Sequence, residues 1–95
     1  MAIDIKKLVK ISKALADENR YRIFKLIADR GEISCKEITD AFSLSQPTVS
    51  HHLKVLTESE LVAFRKEGQW SYFFINKDVL QAYLNSLHEK IVKTP

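Results

Sequence analysis

Only three residues, Ser43-Leu44-Ser45, separate two segments that each carry helix signals, and this brevity constrains the chain more than any other feature. Upstream, Ser34-Cys35-Lys36-Glu37 has the spacing of a capping box, in which a hydroxyl and a carboxylate satisfy orphan amides reciprocally. It predicts a short helix ending at Phe42. Downstream, Ser45 is placed to cap a second helix, with Pro47 in its first turn, where a missing N–H costs little. That helix is expected to reach about Glu58 or Ser59.

The flanking segments complete the pattern. Apolar Ile5, Leu8, Val9, Ile11, Leu15 and Ala16 recur at helical spacing among lysines, so residues about 4 to 16 are expected to form an amphipathic helix. Arg20 to Arg30 repeats this, with Asp17 as its N-cap and Gly31 as its C-terminal stop. After Glu60 the character changes: Leu61-Val62-Ala63-Phe64 and Trp70-Ser71-Tyr72-Phe73-Phe74-Ile75 are rich in β-formers and flank Glu67-Gly68-Gln69. A β-hairpin with a charged tip follows. Asn76 then caps a last helix whose Val79, Leu80, Tyr83, Leu84, Leu87 and Ile91 make a stripe too apolar for a solitary surface helix. The fold class is mainly α with a small β-hairpin, in the order α-α-α-α-β-β-α of a winged helix-turn-helix.

Ninety-five residues, 45% hydrophobic and 28% charged, suffice for one core and hence a single domain over 1–95. At that size stability needs reinforcement. The lone cysteine, Cys35, excludes an intrachain disulfide and fits a reducing compartment, which leaves association with another chain. No apolar run spans a bilayer and no signal-peptide core is evident, so a cytoplasmic location and no membrane partner are expected. The polar end Lys93-Thr94-Pro95 is of a kind that usually frays. A net charge of +3 suits a polyanionic partner.

On the second helix of the pair, Val49, Leu53 and Leu56 share one stripe, leaving Gln46, Thr48, Ser50, His51, His52 and Lys54 on the opposite and flanking faces. These are hydrogen-bonding groups without a carboxylate. They suit base edges and phosphates of double-stranded DNA, and equally a plain solvated face. The wing favours DNA, because Arg65 and Lys66 precede the turn and Gln69 follows it. Trp70, Tyr72, Phe73 and Phe74 read either as a base-stacking platform or as core and wing support, the second fitting a two-stranded ribbon better. Arg20 and Arg22 read either as phosphate contacts or as a solvated edge of the second helix, the second fitting better.

The segments Leu15-Ala16-Asp17-Glu18-Asn19-Arg20-Tyr21-Arg22-Ile23, Ser45-Gln46-Pro47-Thr48-Val49-Ser50-His51-His52-Leu53-Lys54-Val55-Leu56 and Arg65-Lys66-Glu67-Gly68-Gln69 closely resemble the ArsR/SmtB repressors. The resemblance covers residues about 5 to 90. It implies a homodimeric repressor on a palindromic operator, released by a small-molecule inducer. It also implies a recognition helix from Gln46 to Leu56, with Gln46, Thr48, Ser50, His51 and Lys54 touching base or phosphate and Ser45 acting more as a cap. The implied dimer contacts fall on the first and last helices, at Ile5, Leu8, Val9, Tyr83, Leu84, Leu87 and Ile91.

Metal-sensing members carry Cys-x-Cys at the start of the third helix, where this chain has Ser34 and Lys36 around Cys35. No metal or other cofactor is therefore expected, since zinc needs about four N, S or O ligands. Asp78, His88 and Glu89 are at most a degenerate remnant of the family's last-helix site, and adjacent His51 and His52 diverge too far to chelate. Cys35, beside a helix cap and Lys36, is a possible thiol-redox sensor, although a free cysteine without a resolving partner is more often a small buried hydrophobe. The alternative to DNA is a winged helix used as a protein-interaction module. No Ser-His-Asp set, carboxylate pair or phosphate-cradling glycine loop suggests an enzyme.

Overall fold

The computed structural model describes residues 2–92. The expectation for Lys93-Thr94-Pro95 lies outside the described residues. Five helices and three strands follow in the order α1 (Ile5–Ala14), α2 (Glu18–Arg30), β1 (Ile33–Ser34), α3 (Cys35–Ala41), α4 (Gln46–Glu58), β2 (Val62–Glu67), β3 (Trp70–Ile75) and α5 (Lys77–Ile91).

Every helix opens on an oxygen-bearing side chain that accepts an orphan backbone N–H: Asp4, Asp17, Ser34, Ser45 and Asn76 cap α1 to α5 in turn. At Ser34 the capping box is complete, since Ser34 Oγ accepts from Glu37 N–H while Glu37 Oε1 accepts from Ser34 N–H and Oγ–H. Helix α2 stops at Gly31, whose φ of 81° is open to glycine at little steric cost. Helix α1 ends at Ala14, two residues before the expected Ala16.

The sheet departs from the predicted order by one element. Strand β1, only two residues long, lies on the far side of β3 from β2, pairing Ile33 with Phe73 and Ser34 with Tyr72. Two residues carry no periodicity, so the pattern of the sequence did not reveal it. The β2–β3 hairpin pairs Val62 with Ile75 through Glu67 with Trp70, and its turn uses Gly68 at a φ of 62°.

Two apolar clusters hold the elements. One joins Ala14, Ile23, Ile27, Ile33, Ile38, Val49, Leu53, Leu56 and Val62, locking α2, α3 and α4 to the base of the hairpin. The other gathers Ile3, Ile11, Leu61, Val79, Ala82 and Tyr83 between α1 and α5. Tyr83 belongs to this second core. Its hydroxyl lies 2.8 Å from Ser12 Oγ, and because Ser12 donates its own proton to Leu8 C=O, Tyr83 is the donor. The implied placement of Tyr83 on the dimer face is therefore corrected: it is buried in the protomer, whereas Ile5, Val9, Leu84 and Ile91 are exposed and Leu8 and Leu87 half-buried.

Candidate nucleic-acid interface

Helix α4 is amphipathic because Val49, His52, Leu53 and Leu56 fall on one face at spacings of three and four. That face is buried against α2 and α3, which turns Gln46, Thr48, Ser50, His51 and Lys54 outward, all exposed. Ser45 is spent as a cap, its Oγ accepting from Thr48 N–H at 3.3 Å and lying 2.8 Å from Thr48 Oγ1. Toward the C-terminal end Lys54 sits 3.9 Å from Glu58, the first carboxylate of the helix.

His52 is the clear correction among the surface residues. It is only 7% exposed, and its Nδ1 lies 3.3 Å from Arg20 Nη1. The guanidinium has only donors, so Nδ1 must accept and the ring is the neutral Nε2–H tautomer. Burial, and secondarily the Arg20 charge, hold its pKa below the usual histidine range, against the opposing pull of Asp17. Its place three residues after Val49 and four before Leu56 is the signal that assigns it to the inner face.

Arg20 likewise leaves the solvated edge. Its Nε donates to Ala14 C=O at 2.7 Å and its Nη2 to Lys13 C=O at 3.2 Å, so one side chain closes the end of α1 and braces the inner face of α4. Asp17, whose carboxyl accepts from Arg20 N–H, is held below its ordinary pKa chiefly by that bond. Arg22, by contrast, is exposed and pairs with Glu18 one turn back.

The two wing cations point to different faces of the ribbon, since neighbours along a strand alternate. Arg65 is clamped by Glu32, with Nε and Nη2 at 2.6–3.1 Å, and by Glu67 at 2.7 Å, and it lies over the Tyr72 ring. These carboxylates raise its pKa further, and Arg65 in turn lowers that of Glu32. Glu32 is 33 residues away in sequence, which is why no local pattern announced the clamp. Lys66 faces the other way, exposed and without an ion pair among the described residues, and Gln69 is exposed at the turn.

The remaining candidates stay apart. Asp78 and His88 occupy opposite ends of α5, about 15 Å along the axis at 1.5 Å per residue. Among the described residues no three His, Cys, Asp or Glu side chains gather as a metal site would. Cys35 is half-buried, with Sγ 3.8 Å from Ser50 Oγ. Of the hairpin aromatics, Phe73 packs on the core and stacks obliquely with Phe64 at 5.8 Å, Tyr72 supports Arg65, and Trp70 is 45% exposed. Among the described residues no helix is long and apolar enough to cross a membrane.

Residues 15–63, spanning α2 to the start of the wing, match the family described as Helix-turn-helix domain. The chain is 36% identical over 83 residues to the uncharacterized HTH-type transcriptional regulator MJ1325 of Methanocaldococcus jannaschii, covering 87% of this chain and 93% of that one. It is also 36% identical over 83 residues to the arsenical resistance operon repressor of Staphylococcus aureus, covering 87% and 79%. The transcriptional repressor SdpR of Bacillus subtilis is 33% identical over 75 residues, covering 79% and 82%. Among solved structures, the ArsR family transcriptional regulator RHA00566 superposes with a TM-score of 0.80 at 27% identity, covering 95% of this chain and 92% of that one. A homodimeric winged helix-turn-helix DNA-binding domain from Mycobacterium bovis superposes with a TM-score of 0.74 at 28% identity, covering 96% and 90%. With this sequence, this order of elements and an outer face on α4 that carries no carboxylate before Glu58, the chain belongs to the ArsR family of winged helix-turn-helix transcriptional regulators.

Proposed function

We propose that the protein represses transcription as a homodimer that reads a palindromic DNA operator with α4. The observation that carries this reading is the outer face of α4: Gln46, Thr48, Ser50, His51 and Lys54 are all exposed, and no carboxylate occurs before Glu58. Amide, hydroxyl and imidazole groups reach base edges in the major groove, while Lys54 and the free Lys66 neutralise phosphate. Gln69 at the wing tip reaches backbone or minor groove.

Dimerisation supplies two-fold symmetry. Ile5, Val9, Leu84 and Ile91 leave apolar surface on α1 and α5, on the opposite core from the helix-turn-helix, and a second copy of the chain would cover it. Two copies of α4 then present to half-sites one helical turn or a multiple apart. Promoter occlusion gives repression, with phosphate contacts setting salt-dependent affinity and base contacts setting discrimination. An inducer would act by shifting the protein away from this binding geometry.

Fluorescence anisotropy against DNA from upstream of the protein's own gene, and against a scrambled duplex, tests the proposal at several salt concentrations with chelator and reductant present. Selective, salt-sensitive binding by a dimer is the expected result. Equal weak affinity for both duplexes would overturn it.

A further inference from the structure

A groove of about 540 Å³ runs between α4 and the hairpin, with the start of α3 at one end. Its apolar wall is built from Leu53, Phe64 and Phe73, and its polar rim carries Lys36, Lys54 and Lys66, while Trp70 borders it at the wing tip, paired with Glu67 on the other face of the ribbon. No carboxylate lines it among the described residues. Lys36 and Lys54 each have a carboxylate one turn further along their helices, at 3.1 and 3.9 Å, and Lys66 has none among the described residues.

Phosphate contact accounts for the lysines but not for the wall. Phe64 is 50% exposed, so a large aromatic turns apolar carbons to water beside a cationic rim. A surface that meets only the sugar-phosphate backbone has no use for them, and exposed apolar patches mark binding sites. The volume lies in the few-hundred to thousand Å³ range of small-molecule sites, which are mostly apolar with a few placed polar groups.

We propose that this groove binds a small amphiphilic monoanion, its apolar body on Leu53, Phe64 and Phe73 and its carboxylate or sulfonate head among Lys36, Lys54 and Lys66. Because Lys54 and Lys66 are also the proposed phosphate contacts, the anion and DNA exclude one another, and such a molecule acts by direct competition at the reading head. The competition rests on the DNA-binding reading above; the binding of the anion does not.

The test uses the full-length protein and a charge-inverted pair of probes with one tail, decanoate and decyltrimethylammonium, both below their micelle concentrations. Trp70, the only tryptophan in the chain, borders the groove and reports on its occupancy through its emission. Decanoate is expected to shift Trp70 emission saturably and to perturb the ¹H–¹⁵N signals of Ser50, Lys54, Lys66 and the Trp70 indole, leaving Leu84 and Ile91 on α5 unmoved. Lys66→Gln should weaken decanoate several-fold, and decanoate should raise the apparent Kd for the operator duplex in proportion to its occupancy. Equal responses to the cationic probe, signals confined to α1 and α5, or an operator Kd unchanged by saturating decanoate would each overturn the proposal. A protein that takes up decanoate in the groove yet binds no duplex at all would instead refute the DNA reading and leave the anion site standing.

Discussion

Replacing Lys66 by Ala and, in a separate variant, Arg65 by Ala distinguishes two cations that the primary structure presents as equivalents. Arg65 donates to Glu32 and Glu67 at 2.6–3.1 Å, so its charge is already met within the fold. Lys66 has no such partner among the described residues and lies on the face of the ribbon that looks toward α4. Each phosphate neutralised on duplex DNA contributes about −0.9 to the slope of log affinity against log salt. A dimer carries two wings, so Lys66→Ala should make the slope less steep by about 1.8. Extended from a molar reference to about 0.15 M salt, that amounts to roughly fivefold per wing and about thirtyfold for the pair. Arg65→Ala should leave the slope unchanged and lower affinity only slightly, through two carboxylates left uncompensated within a Debye length of about 8 Å. The assay is anisotropy of a labelled operator duplex from about 0.05 to 0.3 M salt, a range over which phosphate-driven binding falls steeply. If Arg65→Ala flattened the slope as much as Lys66→Ala, the clamp would not survive on DNA and the reasoning from it would fail.

Three further outcomes follow from the packing. Ser34→Ala removes the buried half of the α3 capping box and should cost about 1 kcal/mol, a fall in Tm of roughly 4–8 °C for a chain of this size, read by calorimetry. Leu84→Glu combined with Ile91→Glu places carboxylates on the exposed face of α5 and should weaken the dimer about a hundredfold or more in sedimentation equilibrium, while the monomer keeps its helical signal. Because the folded-state pKa of His52 lies below its unfolded value, the unfolded chain takes up the proton first; the contribution of the neutral ring is complete above about pH 6.5 and is lost as pH falls toward the lowered value. Urea midpoints at pH 7.5 and 5.5 should therefore fall further in the parent than in His52→Gln, and identical falls in both proteins would remove His52 from the account.

Local chemistry was legible in the sequence wherever the partners lie within a few residues. Asp17, Ser34, Ser45 and Asn76 stood out as caps because the oxygen and the amide it serves are three residues apart. Helix α4 was legible too, since Val49, Leu53 and Leu56 fix its inner face. Yet the same spacing includes His52, which hydrophilic character disguised as a surface residue until Arg20 supplied a partner from 32 positions upstream. Glu32 and Arg65, and the pairing of Ile33 with Phe73, share that property. Contacts closed by tertiary structure leave no mark at periods of two or four residues. Tyr83 is the converse case: its apolar stripe was recognised, but a stripe does not say which of its residues serve the protomer's own core and which serve a partner.

Ser34 joins three parts of the molecule at one residue: its backbone pairs with Tyr72 of the wing, its side chain opens α3, and Ile33 beside it is buried in the main core. The wing is thus not a removable appendage. Anyone exchanging wings between relatives to change operator preference would have to transplant residues 33 and 34 together with the hairpin, because a foreign β3 would otherwise meet a neighbour chosen for another side-chain pattern. The natural unit of exchange is discontinuous in the gene, two codons ahead of α3 and α4 and a dozen or so after them.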